Sequence, residues 1–253
     1  MKKLFKVFVA LVLVLSVVSL ASCKCNKDKG DEPKEVAAKG YGLVHKDYVG
    51  IADIKVKEGK VTALTFEEVY FPTHWAGVVS TEGVSEDLYL TYTNSKNKEV
   101  VVAKYVVVDG KLFTGKVNGT DVEYSAEGIA NLKAWVQESE ENAKWYAEAL
   151  LAGKAEATDA SKVKVSFQIT ADKEGGFKKS TTGYWSGANY PLGWKGNMEA
   201  LSKALVGTSM GFADADIVKD GTWKIGDVTS TATLVDAKDY IAVAQRAYNA
   251  ATK

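Results

Sequence analysis

Asp227-Val228-Thr229-Ser230-Thr231-Ala232-Thr233 sets four hydroxyl side chains among small neighbours, directly after Lys224-Ile225-Gly226. An alcohol at such a position has two chemical uses. It can cap a following helix by accepting backbone N–H groups, or it can serve as the acceptor in a covalent bond to phosphorus when an enzyme activates it. Thr233 is expected immediately ahead of a helix, whose free N–H groups and positive dipole end favour a phosphate. Ser230, Thr231 and Ala232 are compact enough to let a bulky group reach the backbone. Asp227 is suited to ordering the turn by accepting backbone N–H bonds. Both readings, a capping-rich turn and a derivatised hydroxyl, are open at this point.

Other residues with chemical potential are few. The loop "GYWSGANYPLGWKG" (183–196) carries Tyr184, Trp185, Tyr190 and Trp194 among glycines. Such rings stack on a flat ligand or a sugar, or pack as a surface loop. "YFPTHWAG", with His74 and Trp75, is a further candidate cavity wall. His45 and His74 are the only two histidines and lack the spacing of a zinc site. No strand–Ser–helix spacing of a hydrolase nucleophile is present. Glu138-Ser139-Glu140-Glu141 reads as a solvated helix face.

The elements that must position these groups begin after an address segment. Lys2, Lys3 and Lys6 precede the apolar run Val7 to Leu20, which is short for a membrane span. Leu20-Ala21-Ser22-Cys23 resembles the bacterial lipobox, which implies cleavage after residue 22 and acylation of Cys23. Residues 1–22 then form a lipoprotein signal peptide, and 23–40, rich in charge and poor in large apolar groups, a flexible tether. The implied location is the extracytoplasmic face of the cell membrane, held by the lipid. Cys23 and Cys25 are the only two cysteines, so no disulfide framework is expected. Loss of residues 1–22 removes three lysines and no acid, leaving a formal net charge of −3. That balance argues against nucleic acid as a partner.

The folded part is expected over 41–253. Tyr48 to Val56 and Lys60 to Phe66 predict a hairpin turning at Glu58-Gly59. Glu99 to Val108, Lys111 to Val117 and Asp121 to Tyr124 predict further strands, with turns at Asp109-Gly110 and Asn118-Gly119. Ser125 is a plausible cap for a long helix over 126–152, ended by Gly153. Lys162 to Thr170 alternates like a strand, and Asn197 to Leu205 predicts a short helix. Tyr240, Ile241, Ala244, Ala247, Tyr248 and Ala251 form the apolar stripe of a closing helix. Strands and helices come in blocks, which predicts an α+β fold. Its sheet is mostly antiparallel, packed against the long helix and the C-terminal helix, with the hydroxyl-rich turn just before the latter.

Asp227, Ser230, Ala232 and Thr233 resemble the flavin-attachment motif D-x-x-S/T-G-A-T of FMN-binding domains. The hairpin "VGIADIKVKEGKVTALTFEE" is similar to the one that leads such domains. The resemblance implies FMN joined to Thr233 by a phosphoester bond, with Asp227 recognised by a flavin transferase that uses FAD and Mg²⁺. It implies an electron carrier between a membrane quinone or dehydrogenase and an external acceptor, rather than a stand-alone enzyme. Trp185 and Trp194 are the candidate ring contacts. Thr231 departs from the motif, since the family has glycine there and threonine reaches positive φ only at a cost. The alternative is a cofactor-free extracytoplasmic lipoprotein that binds a sugar or peptide through the aromatic loop.

Overall fold

The computed structural model describes residues 33–181 and 192–253. It is an α+β fold whose sheets are antiparallel throughout. Strands β1 (Val36–Val44), β2 (Tyr48–Lys57) and β3 (Lys60–Tyr70) form a meander. Glu58 and Gly59, at φ 52° and 70°, make the tight β2–β3 turn, the geometry that suits a two-residue hairpin. On β2, Val49 and Ile51 point to one face, and Ala52, Ile54 and Val56 to the other. All five are buried, so the sheet is covered on both sides.

The first cover follows β3 in the chain. It comprises α1 (Pro72–Trp75), β4 (Tyr89–Thr93), β5 (Glu99–Ala103), β6 (Tyr105–Val108), β7 (Lys111–Asn118), β8 (Asp121–Ser125), α2 (Leu132–Glu138), α3 (Glu140–Leu151), β9 (Ala155–Thr158) and α4 (Thr170–Glu174). Strands β8-β7-β6-β9 make one sheet and β4-β5 a ribbon. Val49, Ile51 and Val69 pack with Phe113, Leu132, Tyr146 and Leu150 in this core.

The second cover is C-terminal: α5 (Gly193–Leu205), β10 (Ile217–Asp220), β11 (Thr222–Ile225), β12 (Val228–Ser230) and α6 (Ala237–Ala251). Ala52, Ile54, Val61 and Leu64 meet Met198, Leu201, Trp223 and Ile241 here. Helix α6 lies against β1 because Gly40 and Gly42 carry no side chains. A Cβ on Gly40 would strike the Val243 carbonyl and the Ala247 amide.

Four expectations are corrected. The fold begins at Val36 rather than near residue 41, because β1 is glycine- and alanine-rich and pairs through its backbone, without an apolar stripe to announce it. The helix over 126–152 is two helices. Asn131 Oδ1 caps the first by accepting the Ala134 N–H at 3.0 Å, and Ser139, extended at φ −150°, caps the second through the Asn142 N–H at 3.1 Å. Ser125 ends β8 and caps nothing. Lys162 to Thr170 is not a ladder strand, and holds only the isolated bridges Thr158↔Lys164 and Val78↔Ile169. The closing helix starts at Ala237, three residues beyond the position that would place Thr233 at its mouth.

Gly40→Ala is expected to destabilise the protein by about 1–3 kcal/mol through overpacking at α6. Urea denaturation of wild type and variant checks this, with an exposed-turn control such as Gly83→Ala staying near the cost of its own positive φ.

Candidate functional site

Six residues link the end of β12 to α6, and four side chains fix their path. Ser230 is buried, and its Oγ accepts the Ala232 N–H at 3.2 Å, a short local turn of the kind serine supports. Asn197 on α5 is 1% exposed. Its Oδ1 accepts the N–H of Thr233 at 2.6 Å, the N–H of Leu234 at 3.1 Å and the Thr233 hydroxyl at 3.3 Å. Its Nδ2 donates to the Gly193 carbonyl at 2.7 Å, so the amide is held in one orientation. From the other side, Lys219 Nζ donates to the carbonyls of Thr233 and Leu234 at 3.1 and 3.3 Å. Trp223 Nε1 adds a bond to the Leu234 carbonyl at 2.8 Å. The backbone at 233–234 is thus bound on both edges while Thr233 itself stays exposed.

Thr233 opens onto a cleft of about 450 Å³. That volume lies within the span of small-molecule and cofactor sites, about 300–1,000 Å³. Its lining includes Tyr48, Lys179, Trp194, Met198 and Tyr240, with His45 and Asp236 at the rim. Glu68 on β3, with no exposed surface, anchors this lining. Its Oε1 accepts hydrogen bonds from Trp194 Nε1 and the Tyr240 hydroxyl, and its Oε2 pairs with Lys179 Nζ at 2.8 Å. Burial, then the negative charge of Glu68, push the Tyr240 phenol far above its ordinary pKa, so it stays protonated and donating. Lys179 Nζ also stands 4.0 Å from the centroid of the Tyr48 ring, within the reach of a cation–π contact.

Thr233, Ser230, Ala232 and Trp194 are therefore brought together, with Trp194 as a cleft wall. Thr231 is exposed and absent from the residues at positive φ, so its departure from glycine strains nothing in this conformation. Asp227 sits exposed in the β11–β12 turn and accepts no hydrogen bond among the described residues. The ordering role expected of it belongs to Ser230 and Asn197. The helix-dipole expectation for a phosphate on Thr233 also changes. Asp236 occupies the cap of α6 and Asp239 its first turn, so carboxylates already fill the position where the dipole favours an anion. The His45 ring pairs with Asp236, and the His45 backbone N–H donates to Asp239 Oδ2 at 2.9 Å. Phe71, Pro72 and Thr73 line a different cavity of about 210 Å³ with β8 and α2, so that stretch does not wall the cleft. Trp185, Tyr184, Tyr190, Cys23 and Cys25 lie outside the described residues. Among the described residues no cluster of three His, Cys, Asp or Glu side chains could hold a metal ion, and no helix is long and apolar enough to cross a membrane.

Asn197, Glu68 and Lys179 were not anticipated, although two of them left a signal. Glu68 falls in the register of Leu64, Phe66 and Tyr70, where the strand otherwise turns apolar groups to one face. Asn197 sits on the helical stripe of Trp194, Met198 and Leu201. A polar group in an apolar register marks a buried partner. Lys179 has no such mark. It is placed by residues 177–180 running beside β3, where its N–H donates to the Glu68 carbonyl at 3.0 Å.

No protein-family model matches the chain, and neither curated proteins nor solved structures yield a match.

Asn197→Ala leaves the half-buried N–H of Thr233 and the buried N–H of Leu234 without their acceptor. A loss of about 1–3 kcal/mol in denaturant unfolding is expected. Lys179→Ala strands Glu68 as a buried charge and is expected to cost about 3–5 kcal/mol in the same measurement.

Proposed function

We propose that this chain is a lipid-anchored, extracytoplasmic flavoprotein that carries FMN on Thr233 and passes electrons between a membrane quinone or dehydrogenase and an external acceptor. The observation that carries the reading is the exposed residue Thr233, whose hydroxyl donates to Asn197 and whose backbone is pinned at the edge of an aromatic-walled cleft. The residues present fit the group. Tyr48, Trp194 and Tyr240 offer ring surface, and Trp194 and Tyr240 direct their polar hydrogens away to Glu68. Lys179, Lys96 and His45 supply positive or donor groups toward a phosphate or a polar ring edge.

FMN, once attached, would supply one- and two-electron chemistry, and the protein would supply position, polarity and shielding. Attachment requires a flavin transferase with FAD and Mg²⁺. The Thr233 Oγ–phosphorus bond forms, the phosphoanhydride of FAD breaks, AMP leaves, and the hydroxyl proton passes to a base of the transferase. Asn197 prepares the acceptor by fixing the backbone, so that only the Thr233 side chain needs to be aligned. Covalent linkage suits a site outside the cytoplasm, where a dissociating cofactor has no pool to replace it. Acylation of Cys23 would keep the carrier near its donor.

Coexpression of the full chain with such a transferase is expected to give a yellow protein that keeps its flavin through denaturation. Thr233→Ala is expected to lose the colour and retain the fold, read by absorbance and circular dichroism. A colourless wild-type protein would overturn the reading and favour a cofactor-free binding lipoprotein.

A further inference from the structure

Glu68 and Lys179 form the most deeply buried ion pair among those described, with side chains 0% and 5% exposed and 2.8 Å between Oε2 and Nζ. Stability does not account for it, since buried ion pairs can often be replaced by apolar groups at no loss. Its placement suggests another use. Both donors that share Glu68 Oε1, from Trp194 and Tyr240, belong to cleft walls. The carboxylate thereby turns the polar edges of two rings inward and leaves the cleft with aromatic surface. Lys179 is bound to the same carboxylate through its side chain and to the Glu68 carbonyl through its backbone. It therefore presents a positive charge to the cleft from a fixed, nearly water-free position, while Thr233 and Val235 at the mouth are exposed.

We propose that Lys179 sets the electron affinity of the ring held in the Thr233 cleft by favouring its reduced, negatively charged form. This rests on the flavin reading above. Two electrons from a reductant and one proton from water leave such a ring with one negative charge more than the oxidised state. An ammonium at the wall of a low-dielectric cleft stabilises that charge and has no comparable effect on the neutral oxidised ring. Lys179 is among the residues that line the cleft and Glu68 is not, so the positive member of the pair lies nearer the ring. Electrostatic tuning of this kind is what a protein contributes to a redox cofactor.

The test uses the full chain coexpressed with a flavin transferase and titrated with dithionite against reference dyes, with the potential read by absorbance. Glu68→Gln/Lys179→Met removes both charges at similar size and is expected to weaken the reduced form at least tenfold, a drop of about 30 mV for a two-electron couple. Glu68→Gln alone removes the opposing carboxylate and, titrated at mildly acidic pH so that Lys179 stays protonated without its partner, is expected to raise the potential. Opposite signs cannot arise from loosened packing, and thermal melts confirm folding. Unchanged potentials, or shifts of the same sign, overturn the role of Lys179. Should the double variant fail to fold, Glu68→Gln decides, and an unchanged or lower potential overturns the inference. A wild-type protein without flavin overturns this inference together with the reading it rests on, whereas flavin with flat potentials overturns this inference alone.

Discussion

The carboxamide oxygen of Asn197 accepts two consecutive backbone N–H groups and a hydroxyl, and the presentation of Thr233 depends on that convergence. A segment of small residues between a strand and a helix has little packing of its own, so its path would be poorly specified. Burial makes the amide decisive, because donors left unmatched in that setting cost more than the bonds themselves return. The amide is fixed in turn by the Gly193 carbonyl within α5. Position therefore passes from the core under α5, through one side chain, to the hydroxyl.

The same economy governs the cleft wall. Glu68 enters an otherwise apolar register of β3 and is satisfied by donors from three separate segments: Lys179, Trp194 on α5 and Tyr240 on α6. A charge buried without those partners would be intolerable, so together they constrain how α5, α6 and the segment around Lys179 seat on the sheet. The glycines of β1 permit the close seating of α6. Fold and cleft are thus specified by one set of contacts.

Much of this was legible in the sequence. The β2–β3 hairpin follows from Glu58-Gly59 between two β-rich runs, and α6 follows from its apolar stripe. The α+β arrangement follows from the block order of elements. The hydroxyl-rich turn before the last helix was visible as composition, and Trp194 beside it as an aromatic among glycines. What was not legible depends on long-range partners. Asn197 and Thr233 are 36 residues apart, and Lys179 and Glu68 are 111 apart. β1 lacked an apolar signal because its glycines serve a helix that comes two hundred residues later. The break at Ser139 was hidden because the apolar stripe continues across it, while serine's capping role shows only once its backbone is extended.

Peptide mapping of the protein from the cells that produce it addresses the central claim most directly. Proteolysis at Lys224 and Lys238 releases a peptide that contains Thr229, Ser230, Thr231 and Thr233. Fragmentation of that peptide is predicted to place one FMN phosphoester on Thr233. An unmodified peptide, or flavin on any of the other three hydroxyls, would contradict the account.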